Sequence, residues 1–207
     1  PDLDYQALRR HPKPLLGYSD ITALHAAVGV RAGLVSFHAP TARGALSEFS
    51  RRSLARALVH QTDSCGHAAH AHTLRPGRAA GRLVGGNLAL LAGLAGTPYA
   101  PDYRGAILVL EDVGEATYRI DRMLQQLRLS GALDAVAAIA FGHFTDGTDP
   151  IDSVSRPLDD VLREAAEVAG VPAVAGIPLG HVDDQWTIPL GAAAELDADR
   201  CTLHVTI

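Results

Sequence analysis

The alternation of buried strands with amphipathic helices is the feature that most restricts how this chain folds. Residues 106–110 (AILVL) form an uninterrupted apolar run, which is typical of a strand covered on both faces. The segment 120–127 then places its large apolar residues at the i, i+3, i+4 and i+7 positions of a helix. A second apolar run follows at 135–141. Strands that alternate with helices predict an α/β fold.

The same alternation occurs before and after this region. Residues 62–82 interrupt it, because they are polar and rich in histidine and glycine. We interpret 62–82 as a linker between an N-terminal domain, residues 1–61, and a C-terminal domain, residues 83–207. The remaining predicted elements are helices at 4–10, 20–30, 50–60, 87–94 and 158–165, strands at 34–37 and 171–177, a strand ending at Leu16, and a hairpin over 192–205.

Composition excludes several classes of protein. The 207 residues are 47% hydrophobic and carry a net charge of −5, so no basic patch favours nucleic-acid binding. The longest apolar stretch, 83–96, is too short and too rich in glycine to span a bilayer. Cys65 and Cys201 are the two cysteines, which are too few for a disulfide scaffold and indicate a reducing compartment. Met123 is the single methionine, so we expect a processed or incomplete chain.

Three polar residues follow predicted strands and could carry chemistry together. They are Ser19 after the strand ending at Leu16, Glu111 after 106–110, and His181 after the strand in 171–177. Groups beyond the carboxyl ends of strands converge on the ligand crevice of an α/β sheet. A serine nucleophile needs an imidazole to accept its proton, and the imidazole needs a carboxylate to orient it. The backbone N–H of Asp20, at the start of a helix, could stabilise an oxyanion.

Each of these residues has a structural alternative. Ser19 could simply cap the helix that follows it. Asp112 or Glu115 could replace Glu111 as the acid, or could cap or pair within the next helix. His143, after the strand at 135–141, is the main rival of His181. His38 also follows a strand, and we interpret it as structural.

Two further parts of the sequence contain residue types that are found in binding sites. Cys65, His67, His70 and His72 are metal-ligand types, but they share one segment, whereas zinc ligands usually come from two separate elements, so we predict no metal. Asn87 could cap its helix or contact substrate. The preceding glycines lack the Lys-Ser/Thr of a phosphate-binding loop, so nucleotide hydrolysis is not indicated.

Four blocks of the sequence resemble a known family. GYSDITALH, GGNLALLAGLAGTP, LVLEDVGEATYRIDRMLQQL and GIPLGHVDDQWTIPLGAAAELD are similar, in order, to the blocks of the LD-carboxypeptidase family of serine peptidases. That family also contains the microcin C self-immunity peptidases. The resemblance covers nearly the whole chain, and the third block is long and specific.

The resemblance implies a Ser-Glu-His triad at Ser19, Glu111 and His181. It implies that the serine comes from a Rossmann-like N-terminal domain, here partial, and the other two residues from a C-terminal swivelling β/α domain. The active site would then assemble at the domain interface, a frequent place for such sites. The resemblance also favours a substrate contact for Asn87 over a purely structural role.

The sequence departs from the family in two places. Family members carry a further N-terminal segment with an RGGYG-like stretch that supplies a second oxyanion donor, and loss of one such donor costs about 100-fold or more in rate. The family often has Asp-Asn where this chain has Asp184 and Gln185, followed by Trp186. The second difference could alter the pocket wall without affecting the triad.

The resemblance implies cleavage of the terminal D-Ala from a murein tetrapeptide, without cofactor or metal, by a cytoplasmic homodimer in murein recycling. One alternative is a microcin-immunity-like peptidase acting on aminoacyl-nucleotide analogues, for which Trp186 is the only tryptophan available. A second alternative is an esterase, although Gly17-x-Ser19-x-Ile21 lacks the second glycine of the nucleophile elbow. A third is a catalytically inactive fragment that still binds muropeptide or another subunit.

Overall fold

The computed structural model describes residues 2–41, 44–148 and 156–207. The helices are α1 (Tyr5–Arg10), α2 (Thr22–Ala32), α3 (Glu48–Ala55), α4 (Leu88–Leu94), α5 (Thr117–Leu129), α6 (Ala132–Ala135) and α7 (Leu158–Ala169). The strands are β1 (Leu16–Gly17), β2 (Ser36–His38), β3 (Gly66–His67), β4 (His72–Arg75), β5 (Arg78–Asn87), β6 (Ile107–Val113), β7 (Ala138–Thr145), β8 (Ala173–Ala175), β9 (Ile188–Leu190), β10 (Ala193–Asp197) and β11 (Thr202–Thr206).

Two sheets organise the chain. The larger has eight strands in the order β3-β11-β10-β5-β6-β7-β8-β4, in which β5, β6, β7 and β8 are parallel to one another. The smaller has the order β1-β2-β9, in which β1 and β2 are parallel and β9 is antiparallel to β2. Parallel strands connected by helices confirm the predicted α/β fold, and β10 with β11 forms the predicted hairpin.

The two faces of the large sheet are covered by different elements. Leu108 and Leu110 of β6 pack with the apolar faces of α4, α5 and α7 in one core. Ile107 and Val109, which point the other way along the same strand, pack with Trp186 and with residues of β9, β10 and β11 in a second core. Because strand side chains alternate, Glu111 continues the face of Ile107 and Val109.

Residues 62–82 are not the loop-rich segment that their polarity predicts. They contain β3, β4 and the first half of β5, whose Arg78–Arg82 portion pairs antiparallel with β10. The glycines of β5 also belong to the strand rather than to the start of a helix. A Cβ on Gly85 would lie 1.9 Å from the Val109 carbonyl oxygen, so only glycine permits this close approach of β5 to β6. The domain division at residues 61 and 83 stays a prediction.

The helix predicted over 50–60 is divided into two parts. It begins at Glu48 and continues as α3 to Ala55, after which a π-helical turn spans Arg56–His60. Within the described ranges, no helix is both long and apolar enough to cross a membrane.

Candidate active site

Ser19 lies at a strained corner between β1 and α2. It begins a short 3₁₀ turn, Ser19–Ile21, directly before α2, and its φ of +61° falls in the left-handed region. Residues other than glycine avoid this region, at a cost of about 1–2 kcal/mol. A serine held on a sharp strand-to-helix turn is the geometry of an exposed nucleophile. Neither this turn nor α2 has a side-chain cap, so the capping interpretation of Ser19 is wrong.

A buried histidine holds the strand side of this corner. His25 of α2 places Nε2 2.9 Å from the Gly17 carbonyl oxygen and Nδ1 2.9 Å from the Ser36 hydroxyl. Burial lowers the pKa of His25 to about 4, so the ring is neutral at pH 7. A neutral ring carries one N–H. His25 therefore donates from Nε2 to the carbonyl and accepts from Ser36 at Nδ1.

Glu111 and His181 form a buried hydrogen-bonded pair. The distance between His181 Nδ1 and Glu111 Oε2 is 2.9 Å, and the Glu111 side chain is fully buried while that of His181 is 21% exposed. Because a carboxylate only accepts, Nδ1 carries the proton and Nε2 is left as a free acceptor. Burial works to raise the pKa of Glu111, but the neighbouring imidazoles of His38 and His181 outweigh it, and the pKa lies below its usual value.

A bulge between β6 and β7 builds the niche for this pair. Leu110 pairs with Phe141 and Asp112 with Phe144, so two residues of β7 face Glu111. One of them, His143, donates its backbone N–H to the Leu179 carbonyl at 2.8 Å. Bulges commonly redirect a side chain beside an active site. The bulge thereby fixes the segment that carries His181 against the strand that carries Glu111.

The structure also shows what the rival acids and the rival histidine do. Asp112 accepts the Ala89 backbone N–H at 2.9 Å, at the start of α4. Glu115 lies 3.5 Å from Arg119 in a helix-surface ion pair. His143 meets the site through its backbone rather than its ring, and burial lowers its pKa. Of the candidates, only Glu111 and His181 form a carboxylate–imidazole pair at the end of the parallel strands.

Tyr18 brings the serine corner next to this pair. Its ring lies edge-on to the His181 imidazole, with ring centroids 4.8 Å apart, and Ser19 is the next residue along the chain. Among the described residues the Ser19 hydroxyl forms no hydrogen bond. Catalytic hydrogen bonds are often loose before substrate binds. The structure thus brings Glu111 and His181 together and places the residue before Ser19 against His181, while a direct link between Ser19 and His181 stays a prediction.

Asn87 has the capping geometry that the sequence left open. Its Oδ1 accepts the Leu90 backbone N–H at 3.1 Å, and its Nδ2 donates to Asp112 Oδ1 at 2.9 Å. Its own N–H donates to the Thr22 hydroxyl at 2.9 Å, which ties α2 to the end of β5. Asn87 is 3% exposed. These bonds explain the residue structurally, and a substrate contact through it stays a prediction.

Sequence reasoning missed three buried serines that anchor the segment after His181. The Ser50 hydroxyl accepts the Gln185 N–H and donates to the Asp183 carbonyl, both at 2.9 Å. Ser53 accepts the Thr187 N–H at 2.8 Å, and Ser64 donates to the Thr187 carbonyl at 2.6 Å. A serine every third or fourth position on the inner face of α3 is the only sequence signal for this network.

Trp186 and the histidine-rich segment do not form binding surfaces. Trp186 is 2% exposed and packs in the second core, so it offers no open aromatic face for a base. His72 pairs with Asp159 at 2.8 Å. Within the part of the chain that the structure describes, no three His, Cys, Asp or Glu side chains are grouped so as to hold a metal ion.

A serine on a strained strand-to-helix turn, and an imidazole bonded to a buried carboxylate at the carboxyl ends of parallel strands, are the groups that α/β serine hydrolases use. Family models narrow this class. The LD-carboxypeptidase C-terminal domain matches residues 80–196, and the LD-carboxypeptidase N-terminal domain matches residues 1–39. The chain belongs to the LD-carboxypeptidase family, as the four sequence blocks indicate.

Individual relatives agree with this assignment. The chain is 38% identical to the murein tetrapeptide carboxypeptidase of Pseudomonas aeruginosa, over 97% of this chain and 68% of that protein. The crystal structure of muramoyltetrapeptide carboxypeptidase from Oxalobacter formigenes matches with a TM-score of 0.86 and 32% identity, over 99% of this chain and 71% of the other. MccF in complex with glutamyl sulfamoyl guanosine matches with a TM-score of 0.87 and 26% identity, over 100% and 71% of the two chains.

The chain is shorter than these relatives. It spans 65% of the length of two further curated relatives, from Streptomyces coelicolor and Bacillus subtilis, to which it is 44% and 37% identical.

Proposed function

We propose that this chain is a serine-type LD-carboxypeptidase that removes the terminal D-Ala from a murein tetrapeptide. The observation that carries the proposal is the 2.9 Å bond between His181 Nδ1 and the buried Glu111 carboxylate, beside the strained Ser19 corner. The names of the murein-peptide relatives support the substrate class.

The proposed reaction begins with attack of Ser19 Oγ on the carbonyl carbon of the amide between the L-configured centre and D-Ala. His181 Nε2 takes the hydroxyl proton, because Nδ1 is engaged by Glu111. Glu111 holds the ring in this tautomer and stabilises the cation that forms. The Asp20 N–H lies in the first turn of a helix, where backbone donors lack intrahelical acceptors, and would donate to the oxyanion.

The second half of the reaction returns the protein to its starting state. His181 gives its proton to the D-Ala nitrogen as the amide bond breaks, which leaves an acyl ester on Ser19. Water then attacks the ester, with His181 again acting as base. No cofactor or metal is required by this sequence of steps. The cytoplasmic location and the homodimer stay predictions that cell fractionation and sedimentation would test.

The test is release of D-Ala from purified murein tetrapeptide, measured with a D-amino-acid oxidase coupled assay. We expect Ser19→Ala, Glu111→Ala and His181→Ala each to abolish turnover while circular dichroism stays unchanged. Glu115→Gln is the control, because Glu115 is a carboxylate close in sequence to Glu111 whose contact is an ion pair with Arg119. Full activity in Ser19→Ala would contradict the serine mechanism.

A second candidate substrate class is an aminoacyl-nucleotide analogue, which the fold match to MccF favours. The same residues would cleave it. Hydrolysis of an aminoacyl sulfamoyl nucleotide without D-Ala release would support this candidate. If neither substrate is cleaved but calorimetry detects muropeptide binding, the chain is the inactive binding fragment. If only a longer form of the protein releases D-Ala, the family assignment stands and this chain is an inactive part of it.

A further inference from the structure

His38 at the end of β2 is a buried histidine without a hydrogen-bond partner. It is 0% exposed, and neither of its ring nitrogens has a partner among the described residues. Leaving a buried polar group unpaired costs about 1–3 kcal/mol. Such a group is rare in a folded protein and calls for an explanation.

The carboxylate of Glu111 is an acceptor close to His38. Glu111 Oε1 is also buried and without a partner in the described chain, and it lies 3.8 Å from His38 Nε2. Its other oxygen, Oε2, is the one bonded to His181. Two unsatisfied groups that can bond to each other therefore face each other across the candidate site, about 1 Å beyond hydrogen-bond distance.

We propose that His38 is a positioning residue that donates its Nε2–H to Glu111 Oε1, so that Glu111 is clamped between two imidazoles. This inference rests on the proposed function. A carboxylate held by one oxygen can rotate about its last bond, and rotation would swing Oε2 away from His181. A donor on Oε1 fixes the carboxylate plane and keeps Oε2 aligned with Nδ1 of His181.

The surroundings of His38 fit this role. β2 pairs His38 with Ile188 of β9, shortly after His181 in the sequence, so the backbone at His38 is fixed on both sides. The Tyr18 ring lies 6.1 Å away. His25, the other titratable group facing His38 from α2, stays neutral because burial lowers its pKa to about 4. His25 therefore places no positive charge beside His38 at pH 7.

The first test compares His38→Leu, which removes the donor, with His38→Gln, which keeps an N–H near the position of Nε2. A misplacement of about 1 Å in a catalytic group costs on the order of 100-fold in rate. We expect His38→Leu to lower kcat by about 10–100-fold with little change in KM, and His38→Gln to recover most of the loss. Equal losses in both variants would overturn the proposal.

The second test separates positioning from general stability. The rate at which a fluorophosphonate labels Ser19, followed by intact mass, reports activation of the serine without requiring the murein substrate. In a Glu111→Gln background, His38→Leu should slow labelling no further, because the residue acts through the carboxylate. The same fold-loss in both backgrounds would mean that His38 is only structural, and would overturn the inference.

The two tests also distinguish failure of the inference from failure of the proposed function. If the unaltered chain labels at Ser19 and releases D-Ala while His38→Leu behaves identically, only the role of His38 is refuted. If the unaltered chain does not label at Ser19, the serine mechanism fails and the role of His38 fails with it. If His38→Leu does not fold, His38→Met, which also lacks an N–H donor, takes its place in both backgrounds and is judged by the same criterion.

Discussion

Substituting Ser19 by glycine should stabilise the protein while it abolishes activity. At a φ of +61°, serine and alanine both pay a steric cost of about 1–2 kcal/mol that glycine does not. Glycine loses more backbone entropy on folding, by about 0.5–1 kcal/mol. The Ser19 hydroxyl has no hydrogen bond within the described residues, so its removal adds little. We therefore expect Ser19→Gly to be about 0.5–1 kcal/mol more stable than Ser19→Ala.

The measurement is urea unfolding followed by the fluorescence of Trp186, the single tryptophan, which is 2% exposed and becomes solvated on unfolding. Ala23→Gly, in the first turns of α2, is the matched control at a helical backbone position, where glycine should cost about 1 kcal/mol. We expect glycine to be more stabilising than alanine at position 19 and less stabilising than alanine at position 23. If Ser19→Gly is less stable than Ser19→Ala by the same amount as the control, the corner is not strained and the argument for a nucleophile turn loses its basis.

Three further perturbations test the geometry around the pair. Gly180→Ala would place a Cβ 3.1 Å from the Glu111 Cβ and should cost about 2–4 kcal/mol and most activity. Gly170→Ala, with a positive φ but open space, should cost only about 1 kcal/mol in the same denaturation assay. Ser50→Ala should lower the unfolding free energy by about 2–3 kcal/mol, because it unpairs a backbone N–H and a carbonyl; a change under 0.5 kcal/mol would contradict that bonding. The pKa of His25 is about 4 in the folded protein, against 6.5 for an unperturbed histidine. Between these two pH values the unfolded chain binds a proton at His25 and the folded chain does not. The resulting stability of about 3 kcal/mol is therefore present above pH 6.5 and is lost as the pH falls towards 4. Unfolding midpoints from pH 7 to 4.5 should fall less in His25→Gln.

The sequence predicts the α/β class from local signals, whereas the pairing of Glu111 with His181 is predicted from their places after strands together with the family resemblance. Apolar runs and helical spacing reveal the strands and helices, and chemically active residues stand next to strand ends. The error over residues 62–82 has a physical reason. The strand β5 uses glycines for its close approach to β6, and glycines in a polar context look like a loop when the neighbouring strand is unknown.

Contacts between distant parts of the chain could not be predicted. The bonds from Ser50 to Gln185 and Asp183 join residues more than 130 positions apart, and no periodic pattern in the sequence indicates them. Asn87 illustrates the same limit, since its environment is decided by Asp112 on the next strand and by Thr22 on α2. The sequence alone favours a structural role for His38, because Glu111 is distant from it in sequence and lies close to it only in the folded chain.

The segment that follows His181 connects the two sheets that carry the residues of the proposed triad. After His181 the chain enters β9, which pairs with β2 in the small sheet, and then β10, which pairs with β5 in the large sheet. One continuous segment is therefore bonded to both the sheet that leads to Ser19 and the sheet that carries Glu111. The proposed base is held by its side-chain bond to Glu111 and, in addition, by backbone pairing of the segment that follows it. Loss of the β2–β9 pairing should consequently lower activity more than loss of any single surface contact. It would separate the serine corner from the His181 imidazole while leaving the bond between Glu111 and His181 intact.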